Sequence, residues 1–110
     1  MRFNFDVRTG ELKMPTGKLE TTREKMRLID REILELIEAR TELANEVLMS
    51  KKEMGKPIID EAQIQKVLDR AASLAVEKNL DVDSVRQIFL ILIKMSIEKQ
   101  NEYSGKSNLI

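Results

Sequence analysis

Leu19 to Met54, LETTREKMRLIDREILELIEARTELANEVLMSKKEM, is the stretch whose reading decides the fold. With apolar residues recurring every three to four positions and no Gly or Pro, it predicts one helix of about ten turns at ~3.6 residues per turn. Arg23, Met26, Asp30, Ile33, Ile37, Arg40, Ala44, Val47 and Lys51 step by three and four throughout, so they share one inward seam. Three of them are cations. Buried without partners, each would cost several kcal/mol, and the seam's one acid, Asp30, stands a turn or more from all three. An anion from outside the seam is therefore expected. At ~1.5 Å rise per residue, Arg40 and Lys51 lie about 16 Å apart, near enough for two long side chains to converge on one small ligand. Arg23 is about 25 Å from Arg40 by the same rise. It cannot join that site from its own helix, but a second, antiparallel copy of the chain could supply it.

Composition narrows the chemistry. Lys plus Arg and Asp plus Glu are both 19, which leaves no basic field to attract nucleic acid or an anionic membrane surface. Without Cys or His there are no disulfides, no thiolate or imidazole nucleophiles and none of the commonest zinc ligands, so a bound metal is not expected. Any reaction has to run on Arg, Lys, Glu, Asp, Gln and Ser. The start, MRFNFDVRTG, lacks the apolar core of a signal peptide, and the longest apolar run, IFLILI at 88–93, is too short to span a bilayer. A cytoplasmic protein is the expectation.

Residues 1–18 read as an extension. Phe3, Phe5 and Val7 alternate with polar residues, Thr9-Gly10 can turn the chain, and Leu12 and Met14 alternate after it, which suggests a small β-hairpin. Because an isolated hairpin is marginal in water, the extension is either mobile or docked on the helical body or on a protein partner. Pro15-Thr16-Gly17 then breaks the pattern before a helical domain over 19–104, and 105–110 read as a frayed tail.

Within the domain, Gly55 suits the left-handed position after the long helix, and Pro57 cannot continue it. Asp60 starts a second helix as its N-cap, in a capping box with Gln63, and Ile64, Val67, Leu68, Ala71, Leu74 and Ala75 give that helix its buried face. Asn79 suits the next left-handed position, and Asp81 caps a third helix running to about Glu102. Its stripe is Val85, Phe89, Leu92, Ser96 and Gln100. Ile88, Leu90, Ile91, Ile93 and Ile97 fall off the stripe, so more than one side of this helix needs cover. The fold class is all-α, a three-helix protomer with one long N-terminal helix.

TREKMRLIDREILELIEARTELANEVLMSKK, the linker GKPIID, LDVDSV and SIEKQ closely resemble the all-helical chorismate mutases, over about Arg23 to Gln100 and without a gap. The resemblance implies an entwined homodimer with two active sites built from both chains, and the rearrangement of chorismate to prephenate in aromatic amino-acid biosynthesis. It also implies residue roles. Arg40 matches the arginine that grips a substrate carboxylate, and Arg23 the arginine that reaches a carboxylate from the partner chain. Lys51 and Gln100 match the lysine and glutamine on either side of the ether oxygen of the breaking bond. Ser96 matches a polar residue near the ring carboxylate, and Asp60 the linker aspartate near the ring hydroxyl. Gln63 and Ile64 depart, because the family usually shows Arg then Glu there, the glutamate accepting the ring hydroxyl.

A unimolecular rearrangement needs no nucleophile, metal or cofactor, only positioning of a flexible dicarboxylate and preorganised charge at the ether oxygen. Arg suits carboxylates because its planar fork binds them bidentately, and Lys brings a compact charge to one oxygen. Each residue also has a structural reading. Arg40 could pair with a buried acid, Lys51 could be an exposed lysine at a fraying end, Gln100 a solvated terminal residue, Ser96 a packing residue, and Asp60 with Gln63 simply a cap. Two other functions compete. One is a relative acting on isochorismate with loss of pyruvate, or on an amino analogue of chorismate; the other is a non-catalytic helical dimer that binds protein.

Overall fold

The computed structural model describes residues 4–6, 11–13 and 17–105. The chain divides into two compact units, 1–36 and 37–110. The described elements are two short strands, β1 (Asn4–Asp6) and β2 (Glu11–Lys13), and four helices, α1 (Lys18–Glu42), α2 (Ala44–Met54), α3 (Glu61–Glu77) and α4 (Val82–Tyr103). No helix among the described residues is long and apolar enough to cross a membrane.

In the first unit β1 and β2 pair antiparallel, with Phe5 opposite Leu12. The expected turn at Thr9-Gly10, the break at Pro15-Thr16 and the tail from 106 onward lie outside the described residues. Arg27 reaches Glu24 and Glu20 one and two turns back, an ion pairing along the helix surface. α1 buries no residue along its whole length.

The long helix expected over 19–54 is interrupted once. Leu43 separates α1 from α2, its ψ of −11° well short of the helical value near −42°. Two residues earlier the Thr41 hydroxyl donates to the Ile37 carbonyl at 2.8 Å, a local bond of the kind that competes with the backbone ladder. Helical hydrogen bonding resumes at once, since the Val47 N–H donates to the Leu43 carbonyl at 3.0 Å.

The ends of the other helices follow the expected caps. Gly55 sits left-handed at φ 68°, the Gly55 N–H donates to the Lys52 carbonyl and the Lys56 N–H to the Lys51 carbonyl, which is a Schellman closure. Asn79 does the same at φ 59°, with Leu80 N–H returning to the Ala75 carbonyl at 2.8 Å. Asp60 accepts the Gln63 N–H at 3.2 Å and Asp81 the Ser84 N–H at 2.9 Å. Hydrogen bonds from the Ser84 hydroxyl and backbone hold the Asp81 carboxyl below its usual range.

The core of the second unit lies where α3 and α2 pack on α4. Val67, Leu68 and Ile93 form its centre, flanked by Ile64, Phe89 and Ile97, and Ala71, Ala75, Ala44 and Leu48 are buried beside them. A buried side chain of the Val, Leu or Ile type contributes about 1.5–3 kcal/mol. Two expectations shift. Leu74 is 44% exposed rather than buried, and on α4 the core line runs through Phe89, Ile93 and Ile97, so Ile93 and Ile97 leave the off-stripe set and Ile93 becomes the helix's most buried apolar residue.

Candidate active site

A cavity of about 310 Å³ opens between α2, α3 and α4, and every residue lining it belongs to the 37–110 unit. Its polar lining is Arg40, Lys51, Asp60, Gln63, Ser96 and Gln100. Those are six of the eight residues singled out from the sequence, and Ile64, the seventh, lines it too. Arg23, the eighth, is exposed on the N-terminal part of α1, in the other unit.

Lys51 is held from two sides. The Gly55 cap turns the chain so that the linker comes back along α2, and the Lys51 ammonium donates to the Ile58 carbonyl and, at 3.0 Å, to Gln100 Oε1. Gln100 in turn donates through Nε2 to Ser96 Oγ at 3.1 Å, one turn earlier on α4. Gln100 is only 2% exposed, so it is no solvated end residue, and with both ends of its amide engaged its plane is fixed. Lys51 has three donors and uses two; the Gln100 amide nitrogen has two and uses one. One N–H on each remains for a ligand.

Burial draws the Lys51 ammonium below its ordinary pKa; the charge of Asp60 works against that and the charge of Lys56 adds to it. Asp60 caps α3 while lining the cavity, and its other oxygen stands 3.9 Å from the Lys56 ammonium.

Arg40 donates to the Leu92 carbonyl at 3.1 Å. Burial lowers its proton affinity, and the nearby charge of Arg70 lowers it further, though a guanidinium stays charged at any ordinary pH. Among the described residues no carboxylate comes within ion-pair distance of Arg40 or Lys51. Among the described residues Arg40 has no acid partner, and two half-buried cations face one small cavity.

The remaining walls are apolar: Val47, Ile58, Ile64, Val67, Ile93 and Ile97. Sequence reasoning did not single out Ile58, whose backbone carbonyl holds Lys51, nor the Leu92 carbonyl that holds Arg40, nor Arg70. Side-chain patterns carry no signal for a carbonyl, although the spacing of Arg70 from Gln63, two turns along one face of α3, could have drawn notice.

Comparison with known proteins decides the lineage. The family model described as Chorismate mutase type II matches residues 22–101. The chain belongs to that family. Chorismate mutase from Methanocaldococcus jannaschii is 37% identical over 86 residues, which cover 78% of this chain and 87% of that protein. In this member of the chorismate mutase family the matched segment contains the whole of the cavity lining, from Arg40 to Gln100, together with Arg23. Residues 1–21 precede it.

Proposed function

We propose that the protein is a cytoplasmic chorismate mutase, working as a homodimer on a free small-molecule dicarboxylate and needing no cofactor. The observation that carries this reading is the fixed chain Ile58–Lys51–Gln100–Ser96, which leaves one Lys51 N–H and one Gln100 N–H unspent at a cavity that also holds Arg40.

In the rearrangement of chorismate to prephenate the ether bond breaks as a carbon–carbon bond forms, and negative charge grows on the ether oxygen. Lys51 and Gln100 donate to that oxygen from two sides. Their orientation is already set by the Ile58 carbonyl and Ser96, so little reorganisation is left for the moment of reaction. Arg40 binds a carboxylate through the donors its bond to Leu92 leaves free, and Ser96 stands beside the ring carboxylate. Gripped at both ends, the flexible substrate is kept in the compact shape in which the reacting carbons meet, an entropic gain that free chorismate lacks. Water is kept from the apolar walls, which strengthens each of these charge interactions.

A second chain supplies what this one lacks. Arg23 is spaced too far along the helix to serve the Arg40 site of its own chain, and Met26, Ile33 and Leu36 beside it are 55%, 48% and 69% exposed. An antiparallel copy covers that apolar face and brings its Arg23 to the second substrate carboxylate. Residues 1–18 act as an extension that the reaction does not require.

The test is incubation of the purified protein with chorismate, following loss of its absorbance and appearance of prephenate. Turnover is expected. Pyruvate release from isochorismate with chorismate left untouched would contradict the mutase reading in favour of a lyase, and silence toward both would leave a non-catalytic dimer.

A further inference from the structure

Lys51 borders two cavities. It lines the one already described with Arg40, Ser96 and Gln100, and a second, of about 420 Å³, shares Val47, Lys51 and Asp60 with the first. The second adds Glu46, Ser50 and Lys56. A lysine side chain is long and flexible, and the carboxylates of Glu46 and Asp60 in that cavity are natural partners for it. Yet among the described residues its ammonium is within ion-pair distance of neither. It donates to the Ile58 carbonyl and to Gln100 Oε1.

The linker is what holds it there. The Schellman closure at Gly55 turns the chain back, with the Lys56 N–H on the Lys51 carbonyl. Pro57 follows, and its ring fixes φ near about −65° and restricts Lys56 before it to extended conformations. Ile58 is half-buried and its side chain lines the first cavity. Two residues on, Asp60 is pinned as the cap of α3 by the Gln63 N–H. A strap fastened at both ends and stiffened at Pro57 leaves the Ile58 carbonyl little freedom of direction.

We infer that Pro57 is a positioning residue for the reaction: it aims the Ile58 carbonyl at Lys51 and so keeps the ammonium on the Gln100 side, away from Glu46. The inference rests on the mutase reading and deepens it, because the freedom of the lysine side chain is then given up on folding rather than in the transition state. The charged groups facing Lys51 are Arg40 from α1, Glu46 from α2, and Lys56 and Asp60 from the linker; α3 and α4 bring only the neutral Gln63, Ser96 and Gln100. A carbonyl acceptor favours the charged form of a lysine. The strap therefore also supports a charge that burial works against.

The experiment uses two changes to the full chain. Replacing Ile59 by its α-hydroxy acid turns the 58–59 amide into an ester and weakens the Ile58 carbonyl as an acceptor. It costs no other hydrogen bond, because the Ile59 N–H makes none among the described residues. Pro57→Gly frees the strap instead. Both proteins are expected to lose about tenfold in kcat on chorismate, the size of one hydrogen bond, with KM within about twofold of the wild type. In the ester protein the alkaline fall of kcat, and the titration of Lys51 followed by NMR of its side chain, should both move to lower pH. A linker that serves only folding would lose stability in both proteins while kcat and the Lys51 titration stay as in the wild type, and that result overturns the inference. A wild type inactive on chorismate overturns the mutase reading instead, and the Lys51 titration then decides whether the strap holds the ammonium.

Discussion

The two units of the chain differ in what they bury: the second has an apolar core of its own, although Val76, Ile88, Leu90 and Ile91 stay exposed on it, while none of the α1 residues of the first is buried. From Ile37 onward, α2, α3 and α4 bury Leu48, Val67, Leu68 and Ile93 against one another and hold a network of polar residues at a cavity. The α1 residues before Ile37 are just as apolar in pattern, with Met26, Leu28, Ile29, Ile33, Leu34 and Leu36, yet all of these are exposed. A soluble helix with such a face needs something to cover it. The difference teaches which stretch has a core within one chain and which, on our reading, is covered only by a second copy, a cover that the exposed Ile88, Leu90 and Ile91 of α4 call for as well.

The sharpest way to break this comparison is at the half that holds the core and the cavity. Lys51→Ala should lower kcat about 10²-fold or more, the usual cost of removing a donor to developing negative charge, while the protein keeps its helical content and its mass in solution. A variant within threefold of the parent would mean that the Lys51–Gln100 pair holds structure and nothing else.

A smaller effect belongs to pH. Only the protonated ammonium donates to the ether oxygen, and burial lowers the Lys51 pKa below its ordinary 10.5. Activity should then fall as pH rises through that lowered value, about tenfold per unit beyond it, and the fall should begin before an ordinary lysine would titrate. A kcat/KM profile that is flat to pH 10.5 would show that the burial of Lys51 does not reach its chemistry.

The smallest expected effect probes the exposed half. If a second copy covers α1, dilution should lower the unfolding midpoint by a few degrees for each tenfold step, since association stabilises by mass action. A midpoint independent of concentration, with a monomer mass by light scattering, would leave that apolar face to some other role.

Much of this was legible from residue types alone. Gly55 and Asn79 announced two left-handed helix ends, and Asp60 and Asp81 two N-caps, because each position demands a property that few residues have. The seam placed Arg40 and Lys51 on one face, and the one-turn spacing of Ser96 and Gln100 placed both on another. What the pattern could not convey is contact between elements. The break at Leu43 falls beside the Thr41 hydroxyl's bond to the Ile37 carbonyl, and a helical run of residue types carries no mark of either. The face of α4 centres on Ile93 rather than on the stripe through Leu92, because in the run IFLILI every register looks apolar and only packing against Val67 and Leu68 selects one. Carbonyl partners such as Ile58 and Leu92 have no signature in the side chains at all.

The measurement that most directly tests a site shared between chains is complementation. Arg23→Ala and Arg40→Ala proteins are each expected to be nearly inactive. After unfolding and refolding together in equal amounts, half of the dimers should be mixed, each with one site holding both arginines and one holding neither. The mixture should then recover roughly a quarter of the wild-type rate, as two-fold symmetry requires. If subunit exchange is verified by mass and no activity returns, Arg23 and Arg40 do not meet across a dimer.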